Sequence, residues 1–208
     1  MDKMEQNAQT MRASYLDEAQ INALVPISVT YYRELTSTND HGMNEVDPVN
    51  GLSLVVTDYQ TKGKGQAGRT WESDIGENLL FSLLYVPESP MVLSQVEVEA
   101  FTLDIVRALG SALGGFLAGT FDLKPPNDLY LNGKKVCGIL SEVSRQGGTV
   151  HRMVIGVGLN VNQRQFPEHL RHPATSLAIE SGCTWNRERL LAHLVDALHP
   201  CFETLEAS

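Results

Sequence analysis

The pair Asn132-Gly133 stands between two β-like runs, DLYL and KVCGILSEVS, and constrains the fold more than any other feature of the sequence. Asn-Gly between alternating runs is the strongest short-range signal for a two-residue hairpin, because both turn positions need positive φ. A second turn signal, Gln146-Gly147-Gly148, leads into TVHRMVIGVGLNVN over 149–162. Consecutive strands in this stretch are therefore antiparallel neighbours. Further strands are read at ISVTYYREL (27–35), LSLVVTDY (52–59), NLLFSLLYV (78–86) and FDLK, each rich in apolar, β-branched or aromatic residues. Residues 92–118 repeat apolar side chains at three- and four-residue spacing and predict an amphipathic helix. A second helical stripe runs from Arg187 through Leu190, Leu194, Leu198, Phe202 and Leu205, with a kink expected at Pro200. Hairpins combined with two main helices predict an α+β domain on a mixed, largely antiparallel sheet packed with helices. That domain is expected over 26–208, with 1–25 as an N-terminal leader carrying at most one short helix.

At 208 residues and 42% hydrophobic, the chain is large enough to bury a full core. Its formal net charge of -9 repels nucleic acid over most of the surface, so no nucleic-acid partner is expected. The three cysteines, Cys137, Cys183 and Cys201, are an odd number without metal-type spacing, and Cys137 reads as a small core residue. Unpaired thiols point to a reducing cytoplasm. The first twenty residues lack an apolar signal region, and no run approaches the ~18 uncharged residues that suggest a membrane span.

The stretch KGKGQAGRTWES, Lys62 to Ser73, carries the chemistry most openly. It departs from a phosphate-binding P-loop, because Gly68-Arg69-Thr70 runs toward a tryptophan and a strand instead of a Gly-Lys-Ser/Thr helix start. Glycines at 63, 65 and 68 allow close backbone approach to a ligand, and Lys62, Lys64 and Arg69 add positive charge suited to phosphate. Taken alone, the stretch reads equally as a surface hairpin. Lys134-Lys135, taken alone, reads as a solvated hairpin end. His169 and His172 lie three apart without a further ligand set, so no metal site is expected from protein side chains.

Read with Lys124-Pro125-Pro126-Asn127-Asp128, Lys134-Lys135-Val136-Cys137-Gly138 and Gly156-Val157-Gly158-Leu159-Asn160, the glycine stretch resembles the biotin-protein ligases. Ser37-Thr38-Asn39 and Ala174-Thr175-Ser176-Leu177 resemble further family motifs in the same order, and the resemblance covers roughly residues 30–205. It implies a catalytic core similar to the class II aminoacyl-tRNA synthetases. The implied reaction is ATP-dependent activation of biotin, with Mg²⁺ on the pyrophosphate, followed by transfer to a lysine of a biotin carboxyl carrier protein domain.

The resemblance also implies roles. Ser37, Thr38 and Gln60 would bond the ureido ring, helped by backbone groups of Gly63 and Lys64. Lys135 would reach the biotin carboxylate and the α-phosphate; Asn127 and Asn160 would position nucleotide or metal. Trp71 would pack on the adenine or the adenylate, and Lys124 with Asp128 would complete the phosphate and lysine-acceptor side. Asn39, Gly65, Gln66, Gly68, Arg69 and Gly138 belong to the same ligand-facing motifs. The physical logic agrees: joining a carboxylate to a phosphate demands cations and N–H donors at the growing charge. A water-labile adenylate gives a reason for a closing loop.

Two departures accompany the resemblance. Pro125 stands where relatives carry tryptophan, which predicts a missing aromatic wall, and Lys64 and Gln66 stand where many carry arginine. A small C-terminal β-barrel and an N-terminal helix-turn-helix, both found in relatives, are not recognised in these residues, so a monofunctional ligase is expected. Oligomeric state stays open, a homodimer included. The competing readings are a lipoate ligase and a non-catalytic biotin-binding module.

Overall fold

The computed structural model describes residues 15–46 and 49–207. Asn132 and Gly133 both adopt left-handed backbone, φ 51° and 79°, and turn β5 (Asp128–Leu131) into β6 (Lys134–Gln146). Gly147 and Gly148, φ 60° and 89°, turn β6 into β7 (Thr149–Leu159). The other strands are β1 (Ser28–Tyr32), β2 (Gly51–Thr57), β3 (Leu79–Val86) and β4 (Phe121–Lys124). They form a seven-stranded sheet in the order β1-β2-β3-β7-β6-β5-β4. Only β1 and β2 run parallel; the remaining pairs are antiparallel. The α+β expectation holds.

Five helices accompany the sheet among the described residues: α1 (Glu18–Leu24), α2 (Thr38–Asn44), α3 (Gln95–Gly114), α4 (Leu177–Ser181) and α5 (Arg187–Glu206). The helix predicted over 92–118 is shorter, because Ser94 and Glu97 close a capping box at its start and the backbone leaves the helix at Gly115. Helix α5 is continuous across Pro200; Leu198 and Phe202, buried on either side, hold its stripe to the core. The missing N–H falls at an exposed position, so the expected kink does not interrupt the helix.

Helices α3 and α5 cover one face of the sheet. Leu54 and Val56, Phe81 and Leu83, Ile155 and Val157, and Ile139 alternate onto that face and meet Ile105, Leu109, Leu194 and Leu198. Helix α1 joins them, since Leu16, Ile21 and Val25 are buried in the same core. The leader expected over 1–25 therefore gives way to the domain by Leu16; residues 1–14 lie outside the described part.

One buried ion pair ties this arrangement together. Asp58, following β2, accepts from Arg187 of α5 at 2.8 Å, from the Tyr31 hydroxyl at 2.5 Å and from the backbone N–H of Leu16 at 3.2 Å. Arg187 also donates to the Asn78 carbonyl at 2.9 Å. Burial, followed by the hydrogen bond to Asp58, pushes the Tyr31 phenol above its ordinary range. Removing Asp58 leaves a buried guanidinium without its carboxylate. Asp58→Ala is expected to cost about 3–5 kcal/mol in urea unfolding, whereas Arg107→Ala, which breaks an exposed pair with Asp104, should stay within about 1 kcal/mol.

Candidate functional site

The face of the sheet away from α3 and α5 carries a trench. Its floor is Gly156 and Gly158 of β7, with Gly138 of β6 directly opposite Gly158. Along β7 the trench runs from the Gly156 end to Asn160, about 13 Å at strand rise.

At the Gly156 end the lining is a polar network. Ser37 caps α2, accepting from the Asp40 N–H, and thereby directs Thr38 and Asn39 toward the sheet. Asn39 donates from Nδ2 to the Leu140 carbonyl at 3.1 Å and to Glu142 at 2.8 Å. Ser82 of β3 lies 2.7 Å from both Thr38 Oγ1 and Asn39 Oδ1. Gln60 accepts from the Thr38 backbone N–H at 2.7 Å and from its hydroxyl at 3.2 Å, which leaves its amide N–H groups for a ligand. The glycine is required here: a Cβ on Gly156 would lie 2.0 Å from Asn39 Oδ1.

In the middle, the indole of Trp71 lies across the glycine floor. A Cβ on Gly158 would meet it at 2.5 Å, and one on Gly138 at 2.8 Å. Its Nε1 is buried without a hydrogen-bond partner. The cavity encloses about 220 Å³, below the roughly 300–1,000 Å³ usual for small-molecule sites, because the indole fills part of it.

Toward the far end stand Lys135 and Asn160, with Asp128 and Asn127 flanking the glycine floor across β6. The strand register explains how Lys135 comes to face the trench. Leu129 pairs with Cys137 but Tyr130 pairs with Lys135, so Val136 is the extra residue of a bulge. Val136 and Cys137 both enter the core, and Lys135 is carried to the same side as Gly138. Its ammonium lies 2.6 Å from Asp128 and 5.4 Å from the Trp71 ring centre. Its backbone is pinned as well: the N–H donates to the Pro173 carbonyl at 2.8 Å, and the carbonyl accepts from Thr175 at 2.9 Å. Asn160 donates to the Thr175 carbonyl at 3.0 Å and is left with a buried, unpartnered Oδ1. Asn127 brackets Ile139, donating to its carbonyl and accepting from its N–H. Burial pushes the Cys137 thiol up to about 12, so it stays protonated behind the site.

The glycine stretch is a closed hairpin. Lys64 bridges to Thr70, Gly65 donates to the Arg69 carbonyl at 2.7 Å, and Trp71 donates to Gly63 at 2.9 Å. Gly68 takes φ 72° at the turn. These N–H groups are already engaged, so here the stretch offers side chains more than an open cradle of amides. Lys64 pairs with Asp40, whose hydrogen bond raises the lysine above its ordinary pKa.

Of the residues expected at the site, Ser37, Thr38, Asn39, Gln60, Lys64, Gly65, Gln66, Arg69, Trp71, Asn127, Asp128, Lys135, Gly138 and Asn160 line this one cavity. Gly63 and Gly68 shape the hairpin from outside the lining. Lys124 stands over the Tyr130 ring, its ammonium 4.0 Å from the centroid, and does not line the cavity. Pro125 is exposed and also off the lining. Sequence reasoning passed over Ser82, Glu142, Phe166, Leu170 and Arg171, and weighed His172 only as a metal ligand. For Ser82 a signal existed, a lone polar residue inside an apolar strand. Phe166, Leu170 and Arg171 carried none.

Residues 29–160 match the model of the biotin/lipoate A/B protein ligase family. The chain belongs to that family. It is 33% identical to the bifunctional ligase/repressor BirA of Bacillus spizizenii over 83% of its own length and 52% of that protein. It is equally identical to a biotin-[acetyl-CoA-carboxylase] ligase of Paracoccus denitrificans, over 82% of this chain and 70% of that one. Among solved structures, the biotin protein ligase of Aquifex aeolicus in complex with biotin and ATP superposes with a TM-score of 0.73 at 30% identity, covering 87% of this chain and 72% of that one. The chain spans about half the length of the BirA relatives it matches. The described core is thus similar to that of biotin protein ligases.

Two outcomes follow from the trench. With Trp71 and Trp185 the only tryptophans, a Trp185→Phe protein should report ligand entry through Trp71 emission; a spectrum unmoved by saturating ligand would place the indole outside the ligand's path. Gly156→Ala should weaken ligand binding by about ten-fold or more in calorimetry, since crowding the buried Asn39 costs about 1–3 kcal/mol.

Proposed function

We propose that the protein activates biotin with ATP as biotinyl-5'-AMP and transfers it to a lysine of a biotin carboxyl carrier protein domain. The observation that carries this reading is the trench itself, with a hydrogen-bonding network at one end and the bulge-aimed Lys135 at the other. A ureido ring has two N–H donors and a carbonyl acceptor, and the network of Ser37, Thr38, Asn39 and Gln60 supplies the complementary groups. The carboxylate at the other end of biotin would then meet Lys135.

In the first step a biotin carboxylate oxygen bonds to the α-phosphorus of ATP while the bond to the β-phosphate oxygen breaks, releasing pyrophosphate. Lys135 stabilises the negative charge gathered there, and Asp128 fixes the direction of its ammonium. In the second step a neutral carrier lysine attacks the acyl carbon, AMP leaves and the amine gives up a proton. Trp71 shields the trench from water between the steps. Asn160 Oδ1, an acceptor without a partner, and the Asp128 carboxylate are oxygen donors that suit Mg²⁺ brought in on the phosphates. The ion would supply charge neutralisation on the polyphosphate.

A cytoplasmic setting belongs to the same proposal, supported by Cys137, Cys183 and Cys201 all being free. Ligase activity without a repressor function is supported by the net charge of -9, which disfavours DNA.

Lys135→Ala should nearly abolish biotin-dependent pyrophosphate release while unfolding as the parent does, because the side chain adds little to the core; release near the parental rate would remove Lys135 from its role. Lipoate tests the family's other substrate class. A dithiolane leaves two or three buried polar groups unpaired, at about 1–3 kcal/mol each, so pyrophosphate release should depend on biotin, ignore lipoate and fall in Gln60→Ala. Equal turnover with lipoate would overturn the biotin assignment.

A further inference from the structure

The cations of the trench differ in what they have left to offer an anion. Lys64 is paired with Asp40, and Lys135 with Asp128. Among the described residues lining the cavity, Arg69 and Arg171 have no carboxylate within ion-pair distance. These two guanidiniums stand at different places. Arg69 sits on the glycine hairpin beside Trp71. Arg171 belongs to the segment 163–174, and hydrogen bonds fix which end of the trench that segment serves.

The start of the segment is held by Gln163, a buried side chain that accepts from Asn78 at 2.5 Å and from the Asp74 N–H at 3.2 Å. Its end is held by the bonds of Pro173 and Thr175 to the backbone of Lys135, and by Asn160 to the Thr175 carbonyl. Arg171 is two residues from Pro173, so it stands at the Lys135 and Asn160 end, remote from the network around Gly156. Next to it, His172 meets the edge of Tyr130 with ring centres 6.4 Å apart, and Lys124 lies over that same ring at 4.0 Å. Arg171 also acts on Tyr130 electrostatically, opposing Asp128.

We propose that Arg171 binds the β- and γ-phosphates of the nucleotide and stabilises the departing pyrophosphate. Resting on the ligase reading above, this adds a residue which neither the sequence motifs nor the relatives' names assign. Displacement at the α-phosphorus puts the leaving oxygen opposite the attacking one, so the cation that receives pyrophosphate lies past Lys135 from the biotin end. Arg171 belongs to the segment bonded to the Lys135 backbone at that end of the trench and brings a planar fork suited to two phosphate oxygens. Lys135, oriented by Asp128, serves the α-phosphate; Arg171, with no carboxylate at ion-pair distance among the described residues, serves the rest.

The test compares inorganic pyrophosphate, AMP and biotin binding by calorimetry in one Mg²⁺-containing buffer, for the parent, Arg171→Ala, Arg171→Lys and the distant control Arg107→Ala. Pyrophosphate affinity should fall about ten- to a hundred-fold in Arg171→Ala, as expected for a lost charge-assisted bond, and recover partly in Arg171→Lys. AMP and biotin should change less than two-fold. KM for ATP should rise more than KM for biotin. Unchanged pyrophosphate affinity, equal losses for pyrophosphate and AMP, or a parent that binds no pyrophosphate would each overturn the proposal. If the parent binds pyrophosphate through Arg171 but turns over no biotin, the ligase reading fails while the anion site stands.

Discussion

The central strand β7 is covered on both faces, and most of the architecture follows from how that is achieved. One face is sealed by α3 and α5 with an ordinary apolar core. On the other, Gly156 and Gly158 provide no side chains, and a bare backbone must be covered by something that can satisfy or tolerate it. Asn39 lies directly on Gly156, and the indole of Trp71 lies on Gly158 and Gly138. Close packing without Cβ atoms is what makes the trench deep enough to hold a ligand against the sheet. Alanine at 156 would collide with a buried amide, so the depth depends on these glycines.

The two ends of the trench are built by different means. The network around Asn39 is assembled from four separate elements: the start of α2, the loop after β2, β3 and β6. Each member is held by another, and Asp58 with Arg187 secures the chain just ahead of Gln60. The phosphate end depends on one irregularity in one strand. Without the bulge at Val136, the two-residue period of β6 would place Lys135 on the core face with Cys137 and Ile139. An ammonium there would meet apolar side chains; with the bulge it meets Asp128 and the trench.

Much of the fold was legible because its signals are local. Asn132-Gly133 and Gln146-Gly147-Gly148 dictate tight reversals by their need for positive φ, and the strand and helix patterns around them repeat at periods set by backbone geometry. The site was legible where its residues are grouped in sequence: Ser37-Thr38-Asn39, the glycine stretch, and the run from Asn127 to Gly138. The expectations that changed are those whose outcome depends on distant packing. Helix α1 joined the core because Ile21 found a place under α5. Lys124 and Pro125 ended outside the cavity because the β4–β5 turn directs them to solvent.

The sequence by itself determined the hairpins, the helical stripes, the glycine positions and the order of the motifs, since each is governed by steric rules acting over a few residues. Tertiary structure alone decided that Ser82 and Glu142 complete the network, that Trp71 rests on the glycine floor, and that the segment carrying Arg171 is bonded to the backbone of Lys135. These placements arise from contacts between segments dozens of residues apart, from strand register and from a single inserted residue in β6. Such relations have no local periodicity, because they exist only once the sheet has formed.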